Sequence, residues 1–175
     1  MSDRDDVGPE PRSDAFADVL LANAGFQIGY ADAHLTGTAA RGLGLLTCMD
    51  SRVDPLRMLG LEAGDAKVLR NAGARVTEDV LRTLALASYL LGVERFMIVA
   101  HTDCRMAAGD EASVHTAIAA AGGPDTRSMS FLTTDDQRGA LQDDVQRVRS
   151  WPFLGHVVVG GFLYHLQTGK LEHLC

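Results

Sequence analysis

Three cysteines in 175 residues are too few for a disulfide framework, and two of them, Cys48 and Cys104, stand in motifs that suggest another use. Positive charge is also short. Sixteen Lys and Arg against 23 Asp and Glu leave a net charge of -7, with no basic cluster to neutralise a phosphate backbone, so nucleic acid is excluded as a partner. No apolar stretch approaches the roughly 20 residues of a membrane-spanning helix. The start, Ser2-Asp3-Arg4-Asp5-Asp6, is acidic where a secretory leader is basic, and the expectation is a cytoplasmic protein with no membrane partner. Internal repeats are absent. So is a glycine-rich phosphate loop: Gly42-Leu43-Gly44 lies inside a strand pattern and lacks the third glycine and following helix of a dinucleotide site.

What is present suits one globular domain with a core of its own, since 46% of the residues are hydrophobic and 22% charged. Residues 1–12 carry Gly8, Pro9 and Pro11 among charges and read as a disordered head. Residues 13–41 read as an N-terminal helix and linker. Phe16, Val19, Leu20, Ala24 and Phe26 follow a helical period from Asp14 to Phe26, with Ser13 as the expected cap. Residues 42–175 then alternate strand and helix. Strands are predicted at 42–46, 66–70, 95–100 and 156–164, and the turn Gln167-Thr168-Gly169-Lys170 leads into an antiparallel edge at 171–174. Helices are predicted at 53–59, from the Thr77 cap to Leu91, at 111–121, and from Asp135 or Asp136 to Arg149. Glu78 and Asp79 in a first turn suit the positive end of a helix dipole. Strands separated by such helices imply right-handed crossovers and a mainly parallel sheet covered on both faces, a fold of the α/β class.

Two of these strands end in chemistry. Thr47-Cys48-Met49-Asp50-Ser51-Arg52 puts a thiol, a carboxylate and a guanidinium at the end of the first, and His101-Thr102-Asp103-Cys104 puts an imidazole and a thiol at the end of another. Ligands in open α/β sheets sit at the carboxyl ends of strands. If the two strands are parallel neighbours, Cys48, His101 and Cys104 converge into two thiolates and one imidazole, a zinc set with one position to spare. A single cysteine reads equally well as a small buried hydrophobe, but three candidate ligands at these spacings do not. Cys175, at the end of the chain, reads as a tail thiol. A nucleophilic role for Cys48, as in phosphatases or sulfurtransferases, fails because only three residues separate it from Arg52, too few for a phosphate-cradling loop. Asp50 and Arg52 read either as an exposed ion pair or as a dyad in which Arg52 holds Asp50 beside the metal position. Asp103 reads as a support for the ligands or as a helix cap, Ser51 as a turn hydrogen bond, and Arg70 as a buried brace of the sheet. His34, His115, His156, His165 and His173 lack a partner at ligand spacing and read as structural or surface residues.

Cys48-x-Asp50-Ser51-Arg52 followed by His101-x-x-Cys104 resembles the zinc signature of the β-class carbonic anhydrases. Arg70-Asn71-Ala72-Gly73, Gly161-Phe162-Leu163-Tyr164 and Gln167-Thr168-Gly169-Lys170 extend the resemblance from about Gly42 to the C-terminus, and it implies that the first of these segments, with Arg70, forms a wall of the pocket. It implies the reversible hydration of carbon dioxide to bicarbonate and a proton, with zinc as cofactor. Carbonyl sulfide or carbon disulfide hydrolysis on the same site, or a zinc-binding or sensing protein without catalysis, are the alternatives. The resemblance also implies two roles for Asp50: turned away it leaves the site open, and swung onto zinc it is a fourth ligand that closes it. It implies a homodimer or a dimer of dimers, with the leading helix packed across a partner subunit. One position departs from the pattern, because Arg105 stands where the relatives usually carry glycine, and it bears on pocket size and substrate.

Overall fold

The computed structural model of the chain describes residues 15–106 and 109–175, so the predicted head and the Ser13 cap lie outside the described residues. The chain divides into two compact units, one ending at Leu35 and the other running over Thr36–Cys175. The first contains helix α1 (Ala17–Ile28), which starts at a Phe16 cap and buries none of its residues. A one-turn helix at Asp32–His34 follows it.

The second unit is built on five strands: β1 (Leu43–Cys48), β2 (Ala66–Asn71), β3 (Arg95–His101), β4 (Val158–His165) and β5 (Lys170–His173). Their spatial order is β2-β1-β3-β4-β5, parallel throughout except for β5, which runs antiparallel to β4. All six residues of β1 are buried, which is why this central strand reads as a continuous apolar run. The strands reach further than hydrophobicity suggests. Cys48, Asn71 and His101 still sit in the ladder, Cys48 opposite Asn71 and His101 opposite Tyr164, so two of the expected metal ligands are anchored by sheet hydrogen bonds.

Helices α2 (Glu78–Leu90), α3 (Glu111–Ala120) and α4 (Gln137–Arg149) begin at Thr77, Asp110 and Asp136, whose side chains accept from Val80 N, Ser113 N and Gly139 N. Leu46, Ile98 and Leu163 of the sheet form one core with Val80 and Leu84 of α2 and Leu141 and Val145 of α4. Those two helices therefore share a face. The chain steps from β1 outward to β2 and then back across β1 to β3 and β4, and a right-handed rule sends the β1-to-β2 link to the other face. That link holds a single turn at Arg57–Leu59 instead of the helix expected over 53–59. Asp54 Oδ1 accepts from Arg57 N, and Gly60 in a left-handed conformation (φ 63°) ends the turn. Within the second unit this link therefore covers its face with a turn and loop in place of the longer helix expected. On the second face a cavity of about 530 Å³ lies among Leu43, Met97, Phe162, Leu59 and Leu61, and Val158 is 73% exposed.

The reversal of direction has a second consequence. Where consecutive strands depart to opposite sides, their connecting segments part and leave a crevice at the strands' carboxyl ends. That point lies between β1 and β3 here, and those strands end in Cys48 and His101.

Candidate metal centre

The ligand atoms of Cys48, His101 and Cys104 lie within 4.8 Å of one another, and the three residues are 1%, 0% and 5% exposed. They are the sole cluster of this kind among the described residues. The two sulfurs are 3.7 Å apart, well beyond the roughly 2.05 Å of a disulfide. The imidazole is oriented by its neighbour. His101 Nδ1 is 2.9 Å from the Thr102 carbonyl, which only accepts, so Nδ1 carries the proton and Nε2 presents a lone pair. His101 Nε2 is buried and has no hydrogen-bond partner among the described residues. A buried polar nitrogen without a partner costs free energy, and a cation between it and two sulfurs removes that cost. The donor set therefore fits a metal ion, and soft sulfur with borderline nitrogen suits zinc-like ions over magnesium or calcium.

Beside this cluster Arg52 grips both ligand loops. Its Nε and Nη2 donate to Asp50 Oδ1 and Oδ2 at 3.0 and 2.7 Å, and its backbone N also donates to Asp50 Oδ1, at 2.9 Å. Nη1 donates to Asp103 Oδ2 at 2.8 Å and Nη2 to the Asp103 carbonyl at 3.0 Å. The Arg52 guanidinium holds the Asp50 carboxyl well below the usual carboxylate range, and Asp50 in turn raises Arg52. Asp50 Oδ2 is 3.9 Å from His101 Nε2. A side-on latch thus keeps a carboxylate next to the ligand cluster while both its oxygens are engaged elsewhere. Arg70 supports the same loop from β2: its Nε donates to Cys48 O at 2.9 Å and Nη2 to Asp50 O at 2.7 Å. It is an exposed brace of the loop backbone, not a buried one within the sheet.

A family model described as carbonic anhydrase matches residues 44–122. The chain is 32% identical over 161 residues to β-carbonic anhydrase 1 of Mycobacterium bovis, covering 90% of this chain and 96% of that protein. The chain belongs to the β-carbonic anhydrase family. A crystal structure of carbonic anhydrase from Streptococcus mutans superposes with a TM-score of 0.86 at 29% identity, covering 95% of this chain and all of that one. Part of the chain is also similar to a carbon disulfide hydrolase of Acidianus, 44% identical over 66 residues, 38% of this chain and 32% of that protein.

Within this β-carbonic anhydrase the structure alters several details expected from sequence. Asp103 caps no helix, since the next one starts at Glu111, and its carboxylate goes to Arg52. The Ser51 side chain is in no hydrogen bond among the described residues; Asp50 closes the turn instead, by accepting from Arg52 N. Gly73 takes a left-handed φ of 76° inside a tight turn that the Asn71 side chain closes with hydrogen bonds to Arg75 N and O. Arg105 is exposed and in no ion pair among the described residues. Two supporting residues escaped the sequence reading. Gln137 Nε2 donates to the His101 carbonyl at 2.9 Å, and buried Thr47 donates to Val99 O at 3.0 Å, pinning β1 to β3 just below the ligands. Their partners lie 36 and 52 residues away, and no local pattern signals such pairs.

Proposed function

We propose that this chain catalyses the reversible hydration of carbon dioxide to bicarbonate and a proton, with zinc held by Cys48, His101 and Cys104. The observation that carries the reading is the buried, partnerless His101 Nε2 facing two sulfurs 3.7 Å apart. Two thiolates bound to one tetrahedral zinc at ~2.3 Å each would be roughly 3.8 Å apart. Bound there, zinc supplies Lewis acidity that makes water a nucleophile at neutral pH.

The chain's own residues do the rest. Thr102 O fixes the tautomer of His101, so that Nε2 faces the ion. Asp50, kept ionised by Arg52, only accepts hydrogen bonds; it orients a hydroxyl group beside His101 Nε2 and directs its remaining lone pairs away from that acceptor. In the reaction a water oxygen adds to the carbon of carbon dioxide, and the proton it sheds passes to buffer. Stopped-flow hydration by zinc-loaded protein, run beside sulfide release from carbonyl sulfide and carbon disulfide, tests the assignment. Sulfide release without hydration would move the chain to the hydrolase reading favoured by its similarity to the carbon disulfide hydrolase, and activity on none of the three would leave a zinc protein without catalysis.

We infer further that the working form is a homodimer or a dimer of dimers with α1 laid across a partner subunit. Phe16, Leu20, Leu21, Phe26 and Ile28 support this, because all are more than half exposed, an unusual density of bare apolar side chains for one short stretch. Light scattering is expected to give at least twice the mass of 18.7 kDa, and a monomer that turns over substrate normally would refute the shared assembly. A cytoplasmic setting follows from the same chemistry, as thiolate ligands persist where thiols stay reduced. The division into a head at 1–12, a helix and linker at 13–41 and a zinc-binding domain at 42–175 belongs to this reading too.

A further inference from the structure

Asp103, between His101 and Cys104, makes contacts that metal binding does not explain. Asp103 adopts a left-handed backbone with φ 55°, a conformation that aspartate tolerates better than most residues. That twist turns its carbonyl and its carboxylate to the same guanidinium, and both accept from Arg52, at 3.0 and 2.8 Å. The Asp50 bonds use Nε and one proton of Nη2; the Asp103 bonds use Nη1 and the other proton of Nη2. The two aspartates therefore do not compete for hydrogens. They hold the same planar fork from two edges and from two different loops.

We propose that Asp103 is a positioning residue that holds the Asp50 latch open. Asp50 and Arg52 are two residues apart in one loop, and the Arg52 side chain is 49% exposed. A pair of that kind is weakly fixed when left alone and moves as a unit. Asp103 ties the guanidinium to the loop carrying His101 and Cys104, so the place of Asp50 is set relative to the ligands and not merely to its own turn. The tether matters because Asp50 Oδ2 needs little travel: it is already 3.9 Å from the lone pair of His101 Nε2. Without the tether the carboxylate reaches the ion and takes the position that substrate chemistry requires. This inference rests on the proposed zinc site, and its test is read on metal coordination as well as on turnover.

Asp103→Gly is the informative variant, because glycine keeps the left-handed backbone and the carbonyl while removing only the carboxylate. Asp103→Asn is the rescue, since the amide oxygen still accepts from Nη1 and asparagine also tolerates this conformation. The cobalt-substituted protein is compared by visible absorption and X-ray absorption, and the metal-free protein by the line width and hydrogen exchange of the Arg52 Nε–H in nitrogen-15 NMR. In Asp103→Gly we expect one cobalt per chain, an added protein oxygen ligand, a faster-exchanging Arg52 Nε–H, and a fall in kcat of roughly tenfold, the scale of one charge-assisted hydrogen bond. Asp103→Asn should restore the open coordination and most of the rate. An unchanged cobalt spectrum and an unchanged Arg52 signal in Asp103→Gly overturn the proposal, as does loss of metal in both variants, which would make Asp103 a brace of the loop. If wild type hydrates no carbon dioxide yet Asp103→Gly still gains the oxygen ligand, the positioning role stands and the assigned reaction falls.

Discussion

The convergence of Cys48, His101 and Cys104 into a group that could hold a metal is legible because strand ends carry function and because His101 and Cys104 are three residues apart; the structure brings their donor atoms within 4.8 Å. Asp103 was not legible. Its role depends on a backbone torsion and on a guanidinium 51 residues away, neither of which leaves a trace in local spacing. Two predictions belong at this scale. Cys48→Ser, His101→Ala and Cys104→Ser should each abolish stoichiometric zinc by elemental analysis, because each removes one of three strong donors around a buried ion. Full zinc retention in Cys104→Ser would sink the ligand assignment. Arg52→Ala should instead retain zinc and lose turnover, since Asp50 then loses the cation that engages both its carboxylate oxygens and is free to turn toward the metal. Cobalt absorption should show the extra oxygen ligand, and wild-type rates in that variant would leave Asp50 and Arg52 with a purely structural role.

Among the elements, the Thr77 cap and a helix beginning at Glu111 stand where the sequence puts them, and the structure chooses Asp136 over Asp135; Thr77, Asp110 and Asp136 each accept a backbone hydrogen bond from their own first turn. Strand ends were read short, because Cys48, Asn71 and His101 are polar or ligand residues that the ladder accommodates only through its neighbours. The glycine at position 44 shows how a partner in space settles what a sequence leaves open. Gly42-Leu43-Gly44 fails as a phosphate loop, and the reason for Gly44 is packing: a Cβ there would run into the Phe96 ring of the adjacent strand and meet Val93 at 3.1 Å. Phe96 is 2% exposed and part of the central core, with little room to retreat. Gly44→Ala should therefore destabilise the protein by about 1–3 kcal/mol, the usual range for overpacking a core. Urea unfolding measures it, and a loss under about 0.5 kcal/mol, typical of a surface change, would show that the ring moves freely.

At the scale of the whole molecule, the α/β class and the parallel direction of the strands follow from strand-helix alternation, while the shortness of the β1-to-β2 link does not, since it looks helical until Asp54 and Gly60 close it into one turn. The same scale governs acid sensitivity, because carboxylates fasten the segment between α3 and α4 to the rest. Glu111 accepts from the backbone N of Phe131 at 2.8 Å and of Thr133 at 3.2 Å, and Arg75 holds the same segment from the other side through Leu132 O while pairing with Asp144. The Phe131 backbone bond is the largest cause that lowers the Glu111 carboxyl below its ordinary 4.5, and Arg138, followed by His165, lowers Glu172, which joins β5 to α4. A carboxyl depressed in the folded state binds fewer protons folded than unfolded between its two pKa values. Its stabilisation is complete above about 4.5 and drains away as pH falls through the folded value. Stability measured by urea unfolding should thus be flat near neutrality and decline below about pH 5. Glu111→Gln removes one of these protonation steps while retaining a side-chain oxygen to accept from Phe131. The variant should start from a lower stability at pH 7 and lose less of it by pH 3, with the difference confined to the acid limb. Parallel pH curves for the two proteins would mean that Glu111 titrates alike folded and unfolded, and that its backbone bonds do not hold the 130–133 segment in solution.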